Sequence, residues 1–416
     1  MSTTATPAAG PDKAGTRATR RWPTAIWTLM VGTFLVRGLG FTYPFLPYHL
    51  DHLSLTTRTV STVLAAFGAG WLLGSILWGW LADKIGHRTT LITAMLLATV
   101  ALPLLAQASA VPALTAAAFT TGIVYDAVRP VFTAAIADTF PDDATRASAN
   151  AWRNFSVNVG AAVAGTAGGM LAAPLGIPNL IRVNAAACAL LALLVWHCLP
   201  HQERQLHSTR EARSNCRTAL SDRGLWLLIL ASLCALTCVA SLFSSMPMLM
   251  ARDGLTAADY GWTQTANAAA VLLLSPLLNR WLKRQAETGT PMTGLFAASS
   301  VTLGTSMGAA GFASTTLGYS AAAAFAVPGE IVVFVAAADL LNRLSPPTAR
   351  GLYAGIWGTT LAGAVIIAPA LAGWALTHGG DQLAAATTFT VGLLGAALSW
   401  PLATLVRRAH PTPATH

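Results

Sequence analysis

Charge is what this chain lacks. Of its 416 residues only 10% are Asp, Glu, Lys or Arg, against roughly 25% in an ordinary soluble domain. So few charges cannot cover the surface of a soluble protein this long, which excludes one large soluble core. Cysteine is scarce as well. Cys188, Cys198, Cys216, Cys234 and Cys238 are odd in number and show no CxxC or Cys/His metal spacing, so neither a disulfide framework nor a zinc site is indicated. Four of the five lie in or beside apolar runs and read as packing residues. No Walker-type phosphate loop or dinucleotide fingerprint occurs, so nucleotide-driven pumping has no support. No cofactor and no metal is expected. No clustered nucleophile argues for an enzyme. The first 21 residues, MSTTATPAAGPDKAGTRATRR, lack an apolar core and do not read as a signal peptide. A disordered cytoplasmic arm over 1–21 is the expectation.

What is abundant is apolar surface: 54% of the chain is hydrophobic. Twelve apolar segments can be marked, and each is of the order of 20 residues, enough to cross a bilayer. They run over 23–49, 59–82, 89–108, 112–138, 154–174, 182–199, 224–250, 259–280, 291–312, 317–341, 352–377 and 384–405, and are called spans 1 to 12. The fold class is therefore an all-α membrane protein with twelve transmembrane helices. A polar stretch over 200–223 divides the spans into an N-terminal six-helix bundle, 22–199, and a C-terminal one, 224–406. A tail over 407–416 follows.

Lys and Arg positions set the expected orientation. With the N-terminus inside, the inner segments hold 20 of the 25 basic residues, and the outer loops hold only Arg58, Arg182 and Arg252. Both termini are expected in the cytoplasm, in a multi-pass protein of the cell (plasma or inner) membrane. The net charge of +9 then faces anionic lipid headgroups, with no nucleic acid required. A monomer is expected.

The two halves echo one another. Under a shift of 204 residues Arg146 meets Arg350, Asp138 meets Asn342, Gly169 meets Gly373 and Asp126 meets Glu330. Each half thus carries one carboxylate near the middle of its fourth helix. Internal repeats of this kind mark secondary transporters, whose sites lie at mid-membrane between the halves.

Four ionisable residues fall near helix midpoints: Arg37 in span 1, Asp126 and Arg129 in span 4, and Glu330 in span 10. On insertion scales a centrally placed Arg, Lys or Asp costs roughly 2.5–3.5 kcal/mol, so such residues face a wet cavity or each other. Asp126 and Arg129 are spaced i,i+3 and share a helix face. They read either as a static salt bridge, with Arg37 also in reach, or as a proton switch in which burial and a neighbouring guanidinium nearly balance. Glu330 has no basic residue within a helical turn and is the first choice for binding a proton or a cationic substrate. Arg37 and Arg129 can alternatively hold an anionic group. Tyr43, in the run GLGFTYPFLPYHL, offers stacking and a hydroxyl to a drug-like molecule, or is simply an interfacial aromatic. Pro44 and Pro47 bend or end that helix.

The loop after span 2 reads GWLADKIGHRTTL. Here Gly79, Leu81, Ala82, Asp83, Lys84, Gly86 and Arg88 match the loop 2–3 signature of the major facilitator superfamily, with His87 at a usually basic position. The chain resembles that superfamily over about residues 22–406, and RGLGFTYPFLPYHL, the PGE of span 10 and ARGLYAG resemble its bacterial proton-antiporter branch of drug and natural-product exporters. The resemblance implies that spans 1, 4, 7 and 10 line a central cavity. It also implies that Gly79, Asp83, Gly86 and Arg88 form a gate on the cytoplasmic side. In the span-5 antiporter signature Gly160, Gly168 and Gly169 are kept, but Ala164-Gly165 replaces the Gly-Pro pair. The function expected is proton-coupled efflux of a small, partly hydrophobic compound by alternating access, with a small-molecule substrate, protons and the lipid bilayer as partners. Uptake of a small polar nutrient is the alternative within transport. A non-transporting sensor or scaffold on the same fold is the alternative outside it.

Overall fold

The computed structural model describes residues 22–140, 142–199, 219–346 and 349–409. The expected arm over 1–21, most of the central stretch, Cys216 and the last residues of the tail lie outside them. The described chain is helical from end to end, and all twelve spans are helices. Spans 2, 3, 5 and 6 are Thr57–Ile85, His87–Gln107, Asp143–Leu175 and Ile177–Cys198. Spans 8, 9 and 10 are Ala257–Glu287, Thr293–Ala310 and Thr316–Leu344. Spans 11 and 12 run through Arg350–Gly358 and Thr360–Ala409, separated at Gly380, whose φ of 65° only glycine adopts readily.

Spans 1, 4 and 7 are each broken in the middle. Span 1 is Thr24–Gly38 plus Thr42–His52, span 4 is Val111–Tyr125 plus Val128–Thr139, and span 7 is Arg223–Ser241 plus Ser245–Arg252. A proline ring clashes with the carbonyl four residues earlier. Pro44, Pro130 and Pro247 place that clash at Gly40, Asp126 and Phe243, inside the three breaks. Pro47 and Pro328 sit within helices that continue past them. The three broken helices are spans expected to line the cavity, and the break in span 4 falls on Asp126 itself.

Nine of the described helices are long and apolar enough to cross a membrane, one of them containing spans 11 and 12. Spans 8 and 9 fall below that threshold. Span 8 carries polar groups that its neighbours satisfy: Tyr260 Oη donates to the Leu242 carbonyl at 3.0 Å and Asn267 Nδ2 to the Ala323 carbonyl at 3.1 Å. Span 9 is short and made of small residues, TGLFAASSVTLGTSMGAA.

Small residues set how closely the helices approach. Gly70 and Gly74 lie on the backbone of span 4, where an added Cβ would be 2.0 Å from the Phe119 and Ile123 carbonyl oxygens. Gly79 has ordinary space, 3.9 Å to Pro130, so it is not needed for packing there. The kept glycines of span 5 divide by partner. Gly160 and Gly168 face span 1, at Arg37 and Phe45, while Gly169 faces Gly261 of span 8.

Spans 1–6 meet spans 7–12 along two seams. Span 5 crosses span 8, where Gly169 meets Gly261 and the Thr166 and Thr265 hydroxyls lie 2.8 Å apart. Span 2 crosses span 11, where Gly68 meets the Val365–Ile366 backbone and Gly373 meets Ser61. Tyr48 and Phe45 of span 1 pack on Tyr260. These contacts run from mid-span to the end carrying loop 1–2. At the opposite end, where loop 2–3 lies, spans 3, 4 and 6 make no comparable helix packing with spans 7–12 among the described residues. The halves are clasped at one end and open at the other.

Candidate functional site

The break in span 4 exposes backbone where four helices converge, and Asp126 occupies it. Its side chain is 4% exposed. Arg37 of span 1 bonds Oδ1 through Nη2. Arg129 pairs with Oδ2 through Nε at 2.6 Å, and the Trp71 indole of span 2 donates to the same oxygen at 3.2 Å. One carboxylate therefore gathers spans 1, 2 and 4. The expected i,i+3 pair exists, and a residue 89 positions away completes it. The two guanidiniums are not sealed: their side chains are 24% and 31% exposed. Arg37 also lies over the Tyr125 ring, 5.5 Å from its centroid.

Gly160 seats Arg37. A Cβ at that position would lie 2.7 Å from the Arg37 Cβ, so span 5 must present a glycine for span 1 to hold its arginine here. Behind Arg37, within the first six spans, is a small cavity of about 20 Å³ lined by Val124, Tyr125, Thr121, Asn184 and Cys188 among others, which is room for about one water.

Tyr43 lies in an aromatic cluster above this cluster of charges, toward the clasped end. It stacks on Phe67 at 5.3 Å and meets Trp71, Tyr125 and, from span 7, Phe243 at 5.8–5.9 Å. Tyr43 is itself buried, and its hydroxyl has no partner among the described residues. In this state it is part of a plug rather than an open contact surface. Trp71 and Tyr125, which sequence reasoning did not single out, are the two aromatics that touch the charges. Their signal was available: an indole and a phenol, each with one polar atom, on helices already marked by glycines and an acid.

Arg153 is the other residue missed. An apolar window starting at 154 assigns it to loop 4–5. Span 5 actually starts at Asp143, because Asp142 caps it: the Thr145 amide donates to the Asp142 carboxylate at 2.7 Å. That hydrogen bond holds the exposed Asp142 carboxyl below the usual carboxylate range. Arg153 is thereby lifted into the helix body. Its guanidinium donates to the Thr133 hydroxyl, one turn past Arg129, and to Asn154 Oδ1 at 3.3 Å.

Glu330 stands on the other half, in span 10, and is not brought together with Asp126. It is half-buried and makes no hydrogen bond or ion pair among the described residues. Gly329 beside it packs on span 9. Phe334, one turn on along the Glu330 face, meets Trp357 at 6.5 Å, and that indole donates to Ser232 of span 7 at 3.0 Å. The Glu330 face therefore looks between spans 7 and 11.

Loop 2–3 holds the signature residues. Gly86 joins spans 2 and 3 with φ 83°, a conformation that requires glycine. Asp83 is exposed on the last turn of span 2. Arg88 donates to the Trp196 carbonyl at 2.6 Å and lies over the Trp196 ring, so it binds span 6 of its own half in this state. His87 is buried, with Nε2 2.8 Å from Asp138 at the end of span 4. The second half answers in kind: the Met292 amide at the start of span 9 donates to Asp339 near the end of span 10 at 3.1 Å. Among the described residues no group of His, Cys, Asp and Glu is placed to hold a metal ion.

A fold of this kind, with broken helices and polar groups at mid-depth, has solved relatives. The peptide transporter POT in complex with sulfate is 14% identical, with 94% of this chain and 96% of that one covered, at a TM-score of 0.75. A bacterial homolog of the human lysosomal transporter Spinster, in an inward-facing and unoccupied conformation, is 15% identical over 96% and 100%, at 0.70. The nucleoside transporter NupG, as its D323A mutant, is 14% identical over 93% and 100%, at 0.69. A search of curated proteins finds no match to the sequence. The family model described as the Major Facilitator Superfamily matches residues 26–362, which spans ten of the twelve helices and all the residues of the site. The chain is a multi-pass membrane transporter belonging to the major facilitator superfamily.

Proposed function

We propose that this protein exports a small, partly hydrophobic compound in exchange for protons, with bundles 22–199 and 224–406 rocking about the central site. Both termini lie in the cytoplasm, and the open end faces it. The observation that carries this reading is the contrast between the two midplane acids. Asp126 is held by two arginines and an indole. Glu330 has no partner among the described residues and is half-buried. A carboxyl with no fixed counter-charge gains or loses a proton as its access to water changes, whereas a clamped one keeps its charge. Glu330 is thus the proton carrier and Asp126 the fixed anchor of the cavity wall. The broken helices at Gly40, Asp126 and Phe243 supply the local give that rocking requires.

The cytoplasmic loop 2–3 serves as the gate. In the present state Arg88 is turned to its own half. Closing the open end brings Asp83 and Arg88 toward span 11. The test uses everted membrane vesicles with an imposed pH gradient and a panel of compounds, reading proton release on compound addition. Wild-type vesicles respond to at least one apolar compound, and Glu330→Gln vesicles do not. A response that survives in Glu330→Gln removes Glu330 from coupling. No response to any compound at wild-type expression favours the non-transporting alternative.

A further inference from the structure

The wall built by spans 1, 4 and 5 carries more positive charge than its own acid neutralises. Arg37, Arg129 and Arg153 share one carboxylate, Asp126, which leaves two positive charges over. Arg153 is within electrostatic reach of the other three groups, and among the described residues it pairs with no acid. Arg129 reaches Asp126 through its Nε, and among the described residues its terminal nitrogens make no hydrogen bond. Thr133 links the two arginines, accepting from Arg153 and donating to the Arg129 carbonyl at 2.8 Å.

The same face is polar along its length. Asn150, Asn154 and Asn158 follow at i,i+4 steps on span 5, and the last two are exposed. Exposed amides and a guanidinium turned into hydrocarbon would be costly, so this face is wet. Arg37 lies level with Gly160, and Arg153 lies about 10 Å nearer the open end, at 1.5 Å per residue. The arginines form a ladder leading from the mouth to the aromatic ceiling. Two members of that ceiling, Tyr125 and Phe243, are only half-buried.

We propose that the site takes an organic anion with an apolar, aromatic body. Its acid group sits between Arg129 and Arg153, where two planar forks suit a carboxylate or sulfonate. Its ring rests below Tyr125 and Phe243. The proposal rests on the exporter reading above and narrows its substrate. It also fixes the electrical character of transport. One anion leaving against one proton entering moves two charges, whereas a cation leaving against a proton moves none.

The probes are 2-naphthoate, 2-naphthamide and 2-naphthylmethylammonium, which share a shape and differ in charge. Binding to the purified protein is read from tryptophan emission, and efflux from proteoliposomes is read with and without a potassium diffusion potential. Naphthoate binds about ten-fold or more tighter than the other two, the worth of one good charge-assisted pair. Arg153→Gln and Arg129→Gln each remove that advantage without weakening ammonium binding. A potential negative inside, as before export, speeds naphthoate efflux. The proposal is overturned if the ammonium binds tightest, if Arg153→Gln with a wild-type melting temperature binds naphthoate as before, or if the potential has no effect. Proton-coupled efflux of the ammonium would overturn the anion and leave the exporter standing. Naphthoate binding lost with Arg153→Gln but never coupled to protons would do the reverse.

Discussion

Asp126→Asn tests the site's architecture in a single atom. The Asp126 side chain is 4% exposed and receives Arg37 on one oxygen, and Arg129 and Trp71 on the other. Asparagine keeps the shape, removes the charge and turns an N–H toward donors. Removing one member of a buried ion pair costs about 3–5 kcal/mol, because the partner is left charged and unpaired. Here the partners keep 24% and 31% exposure and can rehydrate toward the cavity, so the cost falls to about 2–3 kcal/mol. In detergent this appears as a melting temperature lower by several degrees. The arginines should then be worth less: in the Asp126→Asn background, Arg129→Gln costs about 1–2 kcal/mol less than in the wild type, a coupling in the usual range for contacting charges. Equal melting of Asp126→Asn and wild type, with strictly additive arginine effects, would refute the clamp.

Other outcomes follow from the packing. Gly160→Ala pushes a methyl to 2.7 Å from the Arg37 Cβ and should cost about 1–3 kcal/mol and most of the flux, while Gly79→Ala, with 3.9 Å of space, melts like wild type. Gly86→Ala forces φ 83° on a residue with a Cβ and should cost about 1–2 kcal/mol, seen in the same melting assay. Asp83→Asn should slow turnover with little change in substrate affinity, which binding and flux measured on one preparation separate. If Asp126 and Arg129 serve only to hold helices together, the double neutral variant transports nearly as well as wild type.

Much of this was legible from residue order. Long apolar runs gave the spans, because crossing a bilayer needs length and apolarity and little else. Pro44 predicts a bend in span 1, but the break that Pro130 makes four residues back at Asp126 emerged only in the structure. The repeat placed Glu330 opposite Asp126. What stayed hidden depends on contact between distant segments. Nothing in span 1 says that Arg37 turns to span 4 rather than to solvent, nor that Tyr43 is enclosed by Phe67 and Phe243. Arg153 was hidden for a different reason. Hydropathy ends a helix where the lipid ends, but the helix itself ends at its cap, three turns earlier at Asp142. Span 8 shows the same effect, continuing to Glu287 beyond its apolar window. The glycine pattern of span 5 was visible as spacing, but its division between span 1 and span 8 required the packed structure.

The central claim is that an unpartnered carboxyl on the second half carries the proton while a clamped one on the first half does not. The direct measurement is proton movement against compound movement in the same proteoliposomes, for wild type and Glu330→Gln. The account predicts that Glu330→Gln still exchanges labelled compound for unlabelled across the membrane, yet no longer moves it against a gradient when a pH difference is imposed. Undiminished pH-driven accumulation by Glu330→Gln, with exchange intact, would contradict it.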